Sequence, residues 1–178
     1  MDDENDNQAG SESGSELVPR APTEEDLVNL CRLLNDLAAN YIVIGGFAVI
    51  YSGASRFTGD IDLLIDTSLT NESKVYKALE SLPDQAVKDL VAGDVSEYVV
   101  VRVADEIIVD LMKSACGIDY SEASKDTIVR NIKDVAIPFA SPRLLWRMKA
   151  KTHRVKDAPD LAFLQEYFES RGEVPPKV

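Results

Sequence analysis

The chain has 178 residues, 45% apolar and 28% charged, which suits one ordinary globular domain with a buried core. No stretch approaches the roughly 18 to 20 consecutive apolar residues of a membrane span, and the acidic N-terminus is unlike a secretory leader, so the expected compartment is the cytoplasm. The net charge of -12 is concentrated in residues 1–26, with nine acids and one base; the other 152 residues carry about -4, so the total describes a tail rather than a binding surface.

Residues 1–22 are nearly devoid of apolar side chains and are expected to be a disordered acidic tail, followed by one domain over 23–172 and a flexible end at 173–178. Thr23 and Asp26 form a capping pair for a helix in which Leu27, Leu30, Leu34 and Leu37 recur at helical spacing up to about Asn40. Tyr41-Ile42-Val43-Ile44 predicts a buried strand ending in a Gly45-Gly46 turn, with a short helix from Phe47 to about Ser52. Asp60 to Asp66 is a second strand, and Ser73 to Leu82 a surface helix. Tyr98 to Val103 and Ile107 to Met112, separated by Ala104-Asp105-Glu106, predict an antiparallel hairpin. Beyond it the pattern predicts a helix over Glu122 to Arg130 and a strand over Val135 to Phe139. Ser141-Pro142 then caps a helix beginning at Arg143, and Pro159 separates this from a last helix, Asp160 to about Ser170. The expected class is α/β with a mixed, partly antiparallel sheet flanked by helices.

In Asp60-Ile61-Asp62 the strand period of two puts both carboxylates on one face, with Ile61, Leu63 and Ile65 on the other. Alone, this fits a solvated strand edge as readily as a metal site. Asp110 is a third acid inside an apolar strand, where a carboxylate is costly unless paired or bound to a cation. Gly45-Gly46, between a strand and a helix, suits either a plain tight turn or close approach of backbone amides to a phosphate. Arg143, Arg147, Lys151 and Arg154 fall within about 80° of one another on a continuous helix, a stripe that is either a solvated face or a surface for a polyanion. Lys149 and Lys156 lie on another line. The isolated Cys31 and Cys116 are expected to be reduced and structural, His153 a surface or packing residue and Trp146 a core anchor.

Ile44-Gly45-Gly46, a gap of thirteen residues, Asp60-Ile61-Asp62-Leu63 and the later Asp110 together resemble the signature of the DNA polymerase β-like nucleotidyltransferase superfamily. Arg56-Phe57-Thr58-Gly59 and the stretch from Lys149 to Leu164 are similar to the minimal bacterial, AbiEii-like toxin type. The resemblance implies a cytoplasmic enzyme that moves a nucleoside monophosphate from a nucleoside triphosphate to an acceptor hydroxyl and releases pyrophosphate. Asp60, Asp62 and Asp110 would bind two Mg2+ ions, with Asp110 also helping to deprotonate the acceptor, and Gly45, Gly46, Arg56, Thr58, Lys149 and Lys156 would contact the nucleotide. The acceptor it implies is an RNA or tRNA end or a protein hydroxyl, with a small molecule such as an antibiotic as an alternative. A catalytically silent nucleotide-binding or protein-interaction module, such as half of a toxin and antitoxin pair with a cognate antitoxin as partner, is the alternative of another class.

Overall fold

A computed structural model of the chain describes residues 18–152 and 154–178. Most of the expected acidic tail, and His153, lie outside the described residues. Arg20 does not: its backbone N–H donates to Glu106 O at 2.9 Å, and its guanidinium reaches both oxygens of Asp26, at 2.7 and 2.8 Å, and Glu106. The chain is therefore fastened to the domain four residues ahead of its first helix.

That helix, α1 (Glu24–Asp36), opens with the expected capping box: Asp26 N–H donates to the Thr23 hydroxyl, and Thr23 N–H donates to the Asp26 carboxylate at 2.7 Å. Arg20 holds that carboxyl well below the ordinary range. Next come β1 (Tyr41–Ile44), α2 (Gly45–Tyr51), β2 (Asp60–Ile65) and α3 (Leu69–Leu79). The two glycines form the first turn of α2 rather than a turn ahead of it, and α3 begins four residues before the predicted Ser73. A short helix α4 (Asp94–Glu97) leads into the hairpin of β3 (Val100–Ala104) and β4 (Ile108–Met112). The small ribbon β5 (Ser114–Ala115) and β6 (Ile118–Asp119) follows, then α5 (Tyr120–Ala123), β7 (Thr127–Ile132), β8 (Val135–Ala140), α6 (Pro142–Lys149) and α7 (Ala158–Glu169).

The main sheet has six strands in the order β3-β4-β2-β1-β8-β7. The β2/β4 and β1/β8 pairs are parallel and the others antiparallel, so the predicted mixed, partly antiparallel α/β class holds. Two predicted helical features fail. Only Tyr120–Ala123 of the stretch around Glu122 to Arg130 is helical; the remainder enters β7, an edge strand paired along its length with β8. Thr127, Ile128, Val129 and Ile132 are β-branched, and Lys133 and Asp134, both at positive φ, make the tight two-residue turn to Val135 that a hairpin demands. The basic stripe is also interrupted, because α6 stops at Lys149. The Thr152 hydroxyl donates to Lys149 O at 2.9 Å and so caps the helix end. Lys151 and Arg154 thus leave the helical line. Pro159, expected as a separator, sits within the first turn of α7.

Residues 173–178 run back against the domain, where Pro176 O accepts from the Trp146 indole at 3.1 Å; Trp146 also meets Phe168 edge to face. The core gathers Leu27, Leu34, Ile42, Ile61, Leu63, Leu111 and Phe139, all essentially inaccessible. Cys31 belongs to it, its thiol pushed up to about 12 by burial, whereas Cys116 is exposed; both are free. No helix among the described residues is long and apolar enough to cross a membrane.

Candidate functional site

The sheet register assembles the site. Asp62 lies opposite Ile44 on β1 and opposite Asp110 on β4, and Asp110 lies opposite Arg102 on β3. Ile44, Asp62, Asp110 and Arg102 therefore form one rung across four strands, and side chains on one rung leave the sheet on the same face. Asp60 precedes Asp62 by one strand period, so its carboxylate points the same way. One oxygen from each of Asp60, Asp62 and Asp110 lies within 4.8 Å of the others. Past Asp62, β2 is buried on both faces, with Leu63, Leu64 and Ile65 all at 1% exposure or less.

Gly45 follows the Ile44 rung position, hard against these acids. A Cβ on Gly45, at φ +60, would fall 1.9 Å from Asp62 Oδ2, and one on Gly46 would fall 2.2 Å from Thr58 Oγ1. The glycines are thus dictated by the close packing of the acid strand against α2, beyond any need of a ligand. Thr58 in turn donates to Asp60 O at 3.1 Å, fixing the entry to β2. Burial, and then the negative charges of Asp60 and Asp110, push the Asp62 carboxyl up to about 7; the Gly46 N–H and the charge of Lys149 temper the rise.

A cleft of about 520 Å³ opens over this rung. Asp60, Asp62, Asp110, Gly45, Gly46, Arg56, Thr58, Lys149 and Lys156, from six separate stretches of chain, all line it. Arg102 and Thr152, which also line it, had no part in the sequence reading, and Asp157 and Asp160 entered it only within the stretch similar to the toxin type. Arg102 places Nε 2.8 Å from Asp110 Oδ1 and Nη2 2.7 Å from Asp110 Oδ2, with Nη2 also 3.6 Å from Asp60 Oδ2. Asp157 and Asp160, at the start of α7, hold the basic side: Lys149 Nζ is 3.0 Å from each, and Arg56 pairs with Asp160. Thr152 Oγ1 and Arg154 Nε each lie 2.7 Å from Asp157 Oδ2. Burial alone would raise the Asp157 carboxyl, but the hydrogen bonds from Thr152, Arg154 and Lys149 outweigh it and hold it at about 2.

The opposite wall is apolar, with Val99, Val100, Met112 and Ala115 beside the Cys116 turn. Three of the four members of the predicted stripe are paired: Arg143 with Glu173, Arg147 with Glu122 and Arg154 with Asp157.

The three-acid cluster suits a hard divalent cation: it offers carboxylate oxygens alone, and burial together with mutual repulsion leaves one acid resisting ionisation. Its only close basic neighbour at hydrogen-bonding distance among the described residues is Arg102.

Among solved structures, a lincosamide antibiotic adenylyltransferase, LnuA, determined with lincomycin bound, superposes with a TM-score of 0.57, covering 83% of this chain and 99% of that one at 18% identity. The fold is that of the nucleotidyltransferases. An antigenic nucleotidyltransferase-like protein from Paracoccidioides brasiliensis gives a TM-score of 0.53 at 17% identity, covering 86% of this chain and 79% of that one. No protein-family model and no curated protein matches the sequence. Within the nucleotidyltransferase fold, the cleft described above lies over the β1, β2 and β4 strands and is closed on its basic side by α6 and α7.

Proposed function

We propose that this protein transfers a nucleoside monophosphate from a nucleoside triphosphate to the hydroxyl of a compact, partly apolar acceptor. The observation that carries the reading is the convergence of three carboxylates within 4.8 Å at the floor of a cleft that is also lined by Gly45, Gly46, Arg56, Lys149 and Lys156. Asp60, Asp62 and Asp110 would hold two Mg2+ ions, which neutralise the developing charge on the attacking and leaving oxygens. The residues of the chain do the rest. Gly45 and Gly46 leave backbone free of side chains beside the phosphates, while Lys156 offsets phosphate charge, joined by Lys149 and Arg56 as they turn from Asp157 and Asp160. Asp110 accepts the acceptor's proton as the new O–P bond forms and the bond between the α-phosphorus and the bridging oxygen to the β-phosphate breaks, releasing pyrophosphate.

Two observations favour a small acceptor over RNA. Three of the four bases of the predicted stripe, Arg143, Arg147 and Arg154, are paired with Glu173, Glu122 and Asp157, and the free wall of the cleft is Val99, Val100, Met112 and Ala115. Such a wall suits an apolar scaffold better than a phosphodiester backbone, which binds through unpaired cations. A protein acceptor or protein partner of the toxin type is the second reading. It is favoured by Tyr98, Val99 and Val100, which are 56%, 63% and 43% exposed at the start of the edge strand β3.

The test is transfer itself. Purified protein, Mg2+ and each triphosphate labelled at the α-phosphate are incubated with a panel of hydroxyl-bearing amphiphilic compounds, with total tRNA and with cell protein. We expect label in the small-molecule fraction, lost in Asp60→Ala and Asp62→Asn. Triphosphate binding without transfer to any fraction defeats the enzymatic reading, and transfer only to tRNA or protein defeats the small acceptor.

A further inference from the structure

Arg102 occupies the acids that a metal would need. Its guanidinium takes both oxygens of Asp110, at 2.7 and 2.8 Å, and extends to Asp60 at 3.6 Å, so one cation already bridges two of the three carboxylates. Two features distinguish this from an ordinary structural pair. Asp110 is only 7% exposed at its side chain, but Arg102 is 56% exposed and stands on the edge strand β3, so the guanidinium is free to leave without opening the core. The rest of the cluster also remains short of positive charge, since Asp60 and Asp62 share no bidentate partner of this kind among the described residues.

We infer that Arg102 is a built-in competitor for the divalent cation, a latch that holds Asp110 and Asp60 until a metal arrives with a triphosphate. The inference rests on the proposed metal-binding role of the acids. A guanidinium and a divalent ion cannot share the same oxygens at low cost, because two positive centres a few ångström apart repel even where the surroundings screen well. A nucleoside triphosphate changes the balance: its negative charges give the released guanidinium a new partner on the same face of the sheet, and arginine matches phosphate oxygens as well as it matches a carboxylate. Metal binding is therefore weak in the protein alone and is coupled to nucleotide binding through this side chain, which acts as a positioning residue. An arginine that simply orients Asp110 for the metal has the opposite consequence, since its loss would weaken metal binding.

The experiment is Mn2+ binding to the full chain without nucleotide, followed by the electron paramagnetic resonance of free Mn2+, for the native protein, Arg102→Gln and Arg102→Lys. Asp62→Asn reports whether the ion sits on the acids, and thermal unfolding reports that each variant is folded. We expect Arg102→Gln to bind Mn2+ at least about tenfold more tightly than the native protein, as removal of an adjacent positive charge requires. Arg102→Lys should lie between them, because it keeps the charge and loses the two-pronged grip. Equal or weaker binding by folded Arg102→Gln, with Asp62→Asn still abolishing binding, overturns the latch and leaves the metal site standing. No Mn2+ bound at millimolar concentration by native protein or by Arg102→Gln overturns both.

Discussion

Replacing Asp62 with asparagine should stabilise the metal-free protein while abolishing its activity. In the folded state the carboxyl is pushed from 3.8 to about 7, chiefly by burial and then by Asp60 and Asp110. Because the folded value lies above the unfolded one, the charged form opposes folding: the penalty begins above about pH 4, grows with pH and is complete above about pH 7. At 1.36 kcal/mol per pH unit the ceiling is about 4 kcal/mol, and a half-buried carboxylate that keeps part of its hydration should realise about 1 to 2 kcal/mol. Asparagine has the same shape, still accepts the Gly46 N–H and carries no charge. For a domain of this size the gain corresponds to a rise in Tm of roughly 2 to 8 °C. The assay is thermal unfolding in the presence of a chelator at pH 8 and at pH 5, where less than half of the gain should remain. A variant less stable than the native protein at pH 8, or equally stabilised at both pH values, would refute the argument that burial and the neighbouring acids oppose ionisation of Asp62.

Gly45→Ala meets the Asp62 carboxylate at 1.9 Å and forces a left-handed conformation, so urea unfolding should show a loss of about 2 kcal/mol or more; a loss below about 0.5 kcal/mol contradicts the packing. Glu72 is fully buried and accepts from the backbone N–H groups of Gly93 and Ser96, so Glu72→Ala should cost about 3 kcal/mol and loosen the approach to β3, read as faster amide exchange over residues 93–100. Asp157, held at about 2, contributes stability that is present above about pH 4 and is lost as pH falls towards 2. In Asp157→Asn that part of the acid-induced loss should vanish, and an unchanged acid unfolding curve would count against the three-donor cluster around it.

What the sequence disclosed and what it hid follow from the range of the interactions involved. Asp60 and Asp62 lie two residues apart on one strand, and alternation along that strand suffices to point both acids the same way. Arg102 depends on the pairing of two strands. With Ala104-Asp105-Glu106 as the loop, Ile107 would face Val103 and Arg102 would sit opposite Ile108; the observed register sets it opposite Asp110 instead. The difference arises because Asp105 turns inward to accept from Asp84, Ala86 and Glu106 N–H groups, while Ile107 is buried beneath Arg20, moving the loop along by one residue. The stripe on α6 failed for a similar reason, since the helix end is set by Thr152 and Asp157 acting together across a turn. The strand taken for a helix at 127–130 shows tertiary pairing with β8 overriding a local pattern that permitted either state.

The clip at Arg20 bears on where the domain can be cut. A polypeptide begun at Thr23 would keep α1 and its capping box intact, yet it would strip the β3–β4 turn of the Glu106 and Ile107 attachments that Arg20 supplies. That turn sets which residue faces Asp110. A shortened protein could thus fold, unfold cooperatively and still misreport the cleft, so measurements of metal or nucleotide binding belong on a chain that retains Arg20.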